Sequence, residues 1–199
     1  MLDFSAQAVA DSNRGLALNG DYWHLTGFTV QHAGDNGIAI GGSHNTVERI
    51  VTAFNHDSGL QISRVSSATA KADWPAGNLV ISSESHDNAD PDGEDADGFA
   101  AKLTVGAGNV FRYDVSHHNI DDGWDLFAKA DTGAISPVTI EDSLSYTNGT
   151  LTDGTVNAEA TATASSSVAP TSRSTTSCGA ASPTATATTA SPTTATRAR

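Results

Sequence analysis

The sequence predicts an all-β fold, a parallel β-helix in which short strands wind into stacked coils. Segments with a turn followed by Gly recur, since Gly37 and Gly59 are 22 residues apart and Gly98 and Gly123 are 25 apart. The apolar stretches are short, alternating, and rich in β-branched or aromatic residues. No segment of useful length has helical periodicity. Short strands at a period in the low twenties, without helices between them, favour a solenoid.

Composition divides the chain near Glu159. Residues 160–199 consist almost wholly of Ala, Thr, Ser and Pro, so they cannot bury enough apolar surface to offset their ordering entropy. The sequence therefore predicts a parallel β-helix domain over 1–159, incomplete at both ends, and a disordered tail over 160–199. A β-sandwich also has short strands, but nothing in it would repeat the same Gly and Asn corners.

The charge balance limits the possible partners. The chain carries 23 acidic and 10 basic residues, a net charge of −13 at pH 7. This charge argues against nucleic acid or an anionic membrane surface as a partner, and we expect a monomer. The single cysteine, Cys178, excludes an internal disulfide. No apolar run is long enough to span a membrane, and no signal-peptide pattern is visible at the N-terminus.

Two sequence units alternate along the predicted domain. The first is a turn, a Gly and a short apolar strand, as in 33–40, 56–62, 95–103 and 121–127. The second is an alternating strand, usually opened by Asn, as in 45–56, 78–88, 109–119 and 136–148. Each coil is thus expected to hold two strands. Corner Asn residues are expected to stack, and each Gly to serve a positive φ or a close backbone approach.

Two insertions interrupt this period, over 64–77 and 87–97. Insertions in a solenoid become side loops, often on the binding face. Trp74 lies in the first insertion and is a candidate for stacking on a ligand, whereas Trp124 is expected to pack in the wall. The acidic stretch 87–95 is expected to be a solvated loop, and the seven histidines are expected at corners or on the surface.

Four aspartates recur in register on neighbouring coils. Asp97 and Asp122 each precede a repeat Gly, and Asp121 and Asp125 flank the same turn. Carboxylates about 5 Å apart repel each other unless a cation or proton lies between them. Several carboxylate oxygens together select a hard cation, and Ca²⁺ accepts flexible oxygen geometry. The sequence therefore predicts a Ca²⁺ site formed by Asp97, Asp121, Asp122 and Asp125.

The stretch ADGFAAKLTVGAGNVFRYDVSHHNIDDGWDLFAK (96–129) resembles the core of polysaccharide lyase family 9, a family of pectate lyases. A weaker resemblance extends from about Tyr22 to Asn157. It implies a right-handed parallel β-helix, secretion, and Ca²⁺-dependent cleavage of polygalacturonate (pectate) by β-elimination. The four aspartates that hold Ca²⁺ in the family fall on Asp97, Asp121, Asp122 and Asp125.

The resemblance also implies a catalytic lysine one coil later, in a segment like GFKL. This chain has EATATASSSVAP (159–170) instead. Suitable codons for GDGNGFKLGG, shifted by one base, encode residues 160–169, and the lysine codon then straddles Ser165 and Ser166. We therefore predict a reading-frame slip after about residue 159 and a chain without lyase activity.

Other functions stay open at this point. Lys102 is a nearby lysine that could replace the missing base, although a wall or substrate contact is expected for it. A non-catalytic β-helix that binds acidic polysaccharide through Ca²⁺ is the main alternative. A pectin hydrolase would instead need a pair of catalytic carboxylates, and an alginate lyase would act on a different uronate.

Overall fold

The computed structural model describes residues 1–157 and the backbone of Ser174–Thr176. The rest of the predicted disordered tail lies outside the described residues. Within them the chain forms short strands and one 3-10 turn, Lys71–Asp73, without an α-helix. The strands are β1 (Leu2–Asp3), β2 (Leu16–Leu18), β3 (His24–Thr26), β4 (Thr29–Gln31), β5 (Ile38–Ile40), β6 (Thr46–Glu48), β7 (Val51–Ala53), β8 (Leu60–Ile62), β9 (Leu79–Ile81), β10 (Glu84–His86), β11 (Phe99–Ala101), β12 (Val110–Arg112), β13 (Val115–His117), β14 (Trp124–Asp125), β15 (Val138–Glu141), β16 (Leu144–Tyr146) and β17 (Ser174–Thr176).

From β1 to β16 each strand pairs in parallel with the strand three places later in the chain. Three parallel sheets result, which we call sheet I (β1, β4, β7, β10, β13, β16), sheet II (β2, β5, β8, β11, β14) and sheet III (β3, β6, β9, β12, β15, with β17 at its edge). One coil takes one strand from each sheet. The predicted parallel β-helix is therefore confirmed.

Each coil holds three strands, so the prediction of two strands per coil is wrong. The segments interpreted as one alternating strand bend in the middle, at a residue in the left-handed region. Arg49 has φ 52°, Ser82 52°, Tyr113 58° and Asp142 51°. These residues separate sheet III from sheet I in successive coils. The bend was missed because none of the four is Gly, the residue expected at a positive φ.

The core lies between the three sheets and consists of stacked apolar side chains. In sheet II, Leu60 pairs with Ile38 on one side and Phe99 on the other, and Phe99 pairs with Trp124. The ring of Trp124 stacks on Phe99 with centroids 5.2 Å apart, which confirms its wall-packing role. Fully buried members of this core include Val30, Ile38, Ile50, Leu60, Val80, Phe99 and Phe111.

Asparagine ladders hold the corners together, as the sequence predicts. At the corner after sheet I, the side-chain Oδ1 of Asn88 accepts hydrogen bonds from the backbone N of Asn55 at 3.1 Å and from its Nδ2 at 2.8 Å. The Nδ2 of Asn88 in turn donates to Asn119 Oδ1 at 2.8 Å. A second ladder of Asn45, Asn78 and Asn109 precedes sheet III. The buried backbone N–H groups at these corners are thereby satisfied.

The repeat Gly residues serve close packing rather than a positive φ. A Cβ on Gly59, Gly98 or Gly123 would overlap the side-chain hydroxyl of a serine from sheet I. These serines, Ser85, Ser116 and Ser145, form a polar column inside the coil. Gly37 is similarly close to Asn55, since its Cβ would lie 2.6 Å from Asn55 Nδ2. Of the two roles expected for these glycines, only the close approach is observed.

Strand β17 lies within the segment that the sequence predicts to be disordered. Ser174–Thr176 pairs antiparallel with β15, which is the outer strand of sheet III among the described residues. An exposed strand edge offers unpaired backbone groups, and Thr favours extended structure. The structure describes no other part of residues 160–199, and the disorder of that tail stays a prediction. No helix in the described part of the chain has the length and apolar character to cross a membrane.

Candidate metal centre

The predicted metal site lies where the chain passes from sheet I into sheet II. The backbone N of Gly98 donates to Asp122 O at 2.9 Å, and the N of Gly59 donates to Asp97 O at 2.9 Å. This ladder places Asp97 directly below Asp122 on the next coil. The repeat register predicted from the two Asp-Gly pairs is the register that the backbone adopts.

Three of the four predicted aspartates converge. One carboxylate oxygen each from Asp97, Asp121 and Asp122 lies within 4.8 Å of the others. Asp97 is buried, Asp121 is half-buried and Asp122 is exposed, so the cluster runs from the wall to the surface. Oxygen donors in this arrangement fit a hard divalent cation such as Ca²⁺, which takes several carboxylate oxygens and completes its shell with water or ligand.

The carboxylates of this cluster resist ionisation in the absence of a metal ion, although the charge of Lys102 offsets part of this effect at Asp97. Burial, with repulsion from Asp122 and Asp125, raises the pKa of Asp121 from 3.8 to about 6. Burial and the charge of Asp125 also raise the pKa of Asp122, and burial raises the pKa of Asp97 well above its ordinary value. Such crowding of carboxyl groups is relieved by a bound cation or by protons.

Asp125 does not belong to the converging group of three. Its Oδ2 lies 3.2 Å from the Nζ of Lys102, which also lies 2.9 Å from Asp97 Oδ2. The Nζ further donates to the carbonyl oxygen of Asp95 at 3.3 Å. Lys102 thus joins Asp97 to Asp125, which places Asp125 beside the converging group rather than in it.

Lys102 does not have the properties of a catalytic base. It is 6% exposed, and although burial lowers the pKa of its amine, the charges of Asp97 and Asp125 raise it further, to a net increase. A base must be neutral and must reach the substrate. The burial of Lys102 agrees with the expected wall position, and the roles of base and of substrate contact stay predictions that this geometry does not favour.

Trp74 is placed differently from the sequence prediction. Trp74 is only 4% exposed, and the Lys71 ammonium lies 4.9 Å from the centroid of its ring. The backbone carbonyl of Trp74 also lies against Gly106 of the neighbouring coil. Insertion 64–77 folds back on the wall, so this burial removes the reason for expecting Trp74 to stack on a ligand.

The second insertion, 87–97, is an ordered acidic loop. The carboxylate of Asp90 accepts hydrogen bonds from the backbone N of Gly93 at 3.0 Å and of Ala96 at 3.0 Å. Asp87 fixes the loop from the other side, because its Oδ1 accepts from the N and Oγ1 of Thr152 at 2.8 and 2.7 Å. The loop therefore delivers Asp97 to the cluster from a defined direction.

Sequence reasoning missed an acidic column that continues below the site. Asp35 and Asp57 stand two residues before Gly37 and Gly59, as Asp121 stands before Gly123. Burial, with help from a hydrogen bond to Asp35, raises the pKa of Asp57 to about 7. The hydroxyl of the adjacent Ser58 donates to Asp97 Oδ2 at 3.0 Å. Alignment of all the Gly-centred turns, rather than only the Asp-Gly pairs, would have revealed this column.

Comparison with known protein families identifies the architecture. Residues 1–164 match the family model described as Pel9A-like, right handed beta helix region. The chain is 56% identical over 161 residues to pectate lyase L of Paenibacillus polymyxa (strain SC2), covering 80% of this chain and 36% of that protein. It is 42% identical over 134 residues to a pectate disaccharide-lyase of Dickeya chrysanthemi, covering 67% of this chain and 17% of the relative.

A solved structure agrees with these relatives. The crystal structure of pectate lyase Pel9A superimposes with a TM-score of 0.63 at 36% identity, over 74% of this chain and 34% of that one. The chain therefore spans about a third of the length of the pectate lyase L relative and of the solved structure. The resemblance to family 9 pectate lyases predicted from residues 96–129 is confirmed.

Proposed function

Because the chain belongs to the Pel9A-like family of right-handed β-helices, we propose that its domain is the Ca²⁺- and pectate-binding part of a polysaccharide lyase. Asp97, Asp121 and Asp122 hold the ion, and Asp125 completes the acidic cluster. The observation that carries this proposal is the convergence of three carboxylates from adjacent coils within 4.8 Å. The full enzyme would act outside the cell on polygalacturonate.

The charge of the domain makes a cation necessary for this substrate. An acidic wall repels a polymer of uronic acids, and a divalent ion between the two sets of carboxylates removes the repulsion. When bound, Ca²⁺ also acts as a Lewis acid that withdraws charge from a galacturonate carboxylate and acidifies the neighbouring C5 proton. The aspartates fix the ion near the surface, since Asp122 is exposed, where a polymer can reach it.

The cleavage step needs a neutral base that removes the C5 proton. Lys102 is paired with Asp97 and Asp125 inside the wall, and this burial and pairing argue against it as the base. The family resemblance expects the base near Ser165 and Ser166, a position outside the described residues. We therefore propose that this chain binds Ca²⁺ and pectate without cleaving the polymer.

Calorimetric titration with Ca²⁺ tests the metal site. The unsubstituted chain should bind one ion at the cluster, and Asp122→Asn should weaken binding about tenfold or more because it removes one charged oxygen donor. Asp142→Asn is the matched control, because Asp142 is an exposed aspartate at the bend between β15 and β16. Equal Ca²⁺ binding by the Asp122 and Asp142 variants would contradict the proposed site.

Affinity electrophoresis in gels containing polygalacturonate tests the substrate. Migration should be retarded when Ca²⁺ is present and restored by a chelator, and Asp122→Asn should abolish the retardation. The ultraviolet absorbance of unsaturated product, measured at alkaline pH with Ca²⁺, should not rise. Sustained formation of unsaturated product would refute the absence of a base, and migration that is independent of Ca²⁺ would refute ion-mediated pectate binding.

A further inference from the structure

Lys102 places a positive charge inside the carboxylate cluster itself. Its Nζ lies 2.9 Å from Asp97 Oδ2, 3.2 Å from Asp125 Oδ2 and 3.6 Å from Asp95 Oδ1. The side chain is 7% exposed and that of Asp97 is 1% exposed. Of the salt bridges in the described residues, those of Lys102 are the ones that join several carboxylates to a single buried ammonium.

The two oxygens of Asp97 face different partners. Oδ2 accepts from Lys102 Nζ and from Ser58 Oγ at 3.0 Å. Oδ1 faces the next coil, where the backbone N of Asp122 donates to it at 3.3 Å. One oxygen of Asp97 is thus committed to the chain's own cation, and the other points toward Asp121 and Asp122, where a metal ion would bind.

A buried carboxylate needs a compensating charge to stay ionised. Asp97 has such a charge in Lys102 even when no metal is bound. A divalent ion near Asp97 and Asp125 would be repelled by the same ammonium, because like charges a few ångströms apart interact strongly in a partly desolvated site. Lys102 and the metal ion therefore share carboxylates and oppose each other.

We propose that Lys102 is a resident counter-cation that keeps the carboxylate cluster folded without metal and weakens Ca²⁺ binding in return. It acts through Asp97 and Asp125 and is a positioning residue. This inference rests on the proposed function, because it takes the Asp97, Asp121 and Asp122 cluster to be the metal site. It goes further in assigning a role to a lysine that the β-elimination chemistry does not use.

Calorimetric titration of Lys102→Met with Ca²⁺ tests the competition. Met keeps most of the aliphatic volume and removes the charge, so Ca²⁺ should bind at least about tenfold more tightly than to the unsubstituted chain. Lys129→Met is the control, since Lys129 is exposed and follows β14 on the next coil, and its Ca²⁺ affinity should be unchanged within about twofold. Affinity that is unchanged or weaker in Lys102→Met would overturn the counter-cation role.

Thermal unfolding in the presence of a chelator tests the second half of the proposal. Lys102→Met should lower the midpoint by several degrees, and the double variant Asp97→Asn with Lys102→Met should recover much of that loss because the buried charge is also removed. No recovery in the double variant would overturn the proposal, and this arm applies even if the single variant is too unstable to titrate.

The two proposals fail in different ways. If the unsubstituted chain binds no Ca²⁺, the metal site is refuted, and with it the competition between Lys102 and the ion. If the unsubstituted chain binds Ca²⁺ normally and Lys102→Met binds it no more tightly, the metal site stands and only the counter-cation role is refuted.

Discussion

Asp114 is a buried carboxyl group without a counter-charge. It is 0% exposed, and its Oδ1 accepts a hydrogen bond from the backbone N of Ser83 at 2.8 Å. Its Oδ2 has no hydrogen-bond partner among the described residues. Burial raises its pKa from 3.8 to about 7, against the opposing effect of backbone hydrogen bonds from Ser83 and Arg112. The folded chain therefore binds this proton more tightly than the unfolded chain.

Replacing Asp114 by Asn should stabilise the protein at alkaline pH. The folded pKa is raised, so any stability that depends on protonated Asp114 is complete below about pH 4 and is lost as the pH rises through about 7. Asn keeps the acceptor for Ser83 and never carries the charge. We expect Asp114→Asn to raise the free energy of unfolding on the order of 1–3 kcal/mol at pH 8. The rise should be smaller at pH 5, because the penalty for burying this carboxyl group grows between about pH 4 and about pH 7. Urea unfolding at both pH values measures it, and an equal effect at the two pH values would contradict the assignment.

The residues of the proposed metal site show which positions a sequence repeat can locate. The sequence identifies Asp97, Asp121 and Asp122 because they stand at fixed positions beside the repeat Gly residues. It does not reveal that Lys102 lies between Asp97 and Asp125. Lys102 follows Asp97 by five residues. Whether its side chain turns into the cluster or out to solvent depends on the local path of the backbone after β11.

The asparagine ladder after sheet I is the element with the densest buried hydrogen bonding. Asn88 is 0% exposed and links Asn55 below it to Asn119 above it. Its Nδ2 also donates to Ser85 Oγ at 3.0 Å. Loss of this amide would leave buried donors and acceptors without partners on three coils.

Substitution of Asn88 by Ala should therefore lower the free energy of unfolding by about 2–4 kcal/mol. Asn88→Asp should be at least as destabilising at neutral pH, because it keeps the acceptor, removes the donor and buries a charge. Asn148→Ala should cost less, since Asn148 is half-buried and has no asparagine above it in the described ladder. Denaturant unfolding ranks the three variants, and a larger loss for Asn148→Ala would contradict the ladder account.

Substitution of Gly98 would test how closely the repeat glycines pack against the serines of sheet I. A Cβ at this position would overlap Ser116 Oγ and lie 2.7 Å from Asn119 Nδ2. Gly98→Ala should destabilise by about 1–3 kcal/mol. Adding Ser116→Ala should return part of that loss, because it removes the hydroxyl in conflict. Thermal unfolding of the single and double variants checks this, and strictly additive losses would show that the clash with Ser116 is not the cause.

Rings outside the coil form a further column that composition did not predict. The rings of His86 and His117 stack with centroids 5.2 Å apart, and His117 stacks on Tyr146 at 4.9 Å. These spacings match the rise between parallel strands. The sequence prediction placed the histidines at corners or on the surface, and the structure shows that in sheet I they stack along the solenoid.

At the scale of the whole molecule, a metal ion would act as a cross-link between coils. Asp97 precedes β11 and Asp122 precedes β14, so one ion held by both joins neighbouring turns of the solenoid. An ion that binds the folded chain and not the unfolded chain stabilises the fold by mass action. The metal site and the stability of the upper coils should therefore be coupled.

Ca²⁺ at about 100 times its dissociation constant should stabilise the fold by about 2.7 kcal/mol, which is a rise in melting temperature of about 5–10 °C for a domain of this size. Mg²⁺ should give a smaller rise, because it gives up its water shell reluctantly and demands octahedral geometry. Asp122→Asn should remove most of the Ca²⁺ effect. Differential scanning calorimetry with each ion and with a chelator measures these rises in melting temperature. An equal rise with Ca²⁺ in Asp122→Asn and in the unsubstituted chain would contradict the cross-link.

The amino-acid sequence alone determined the solenoid, its strand register and the set of aspartates that the structure brings into one acidic cluster. These follow from repetition, because a residue at a fixed place in each repeat must stack on its counterpart in the next coil. The Gly and Asn columns were predicted for the same reason.

Only the tertiary structure decided the third strand in each coil, the burial of Trp74 and the position of Lys102. The bends at Arg49, Ser82, Tyr113 and Asp142 use a left-handed conformation without Gly, so no residue type marks them. Trp74 lies in an insertion that does not repeat, and Lys102 lies in a repeat unit at a position where the other coils have Gly41, Ser63 and Phe127. In both cases packing against other coils, rather than periodicity, sets the direction of the side chain.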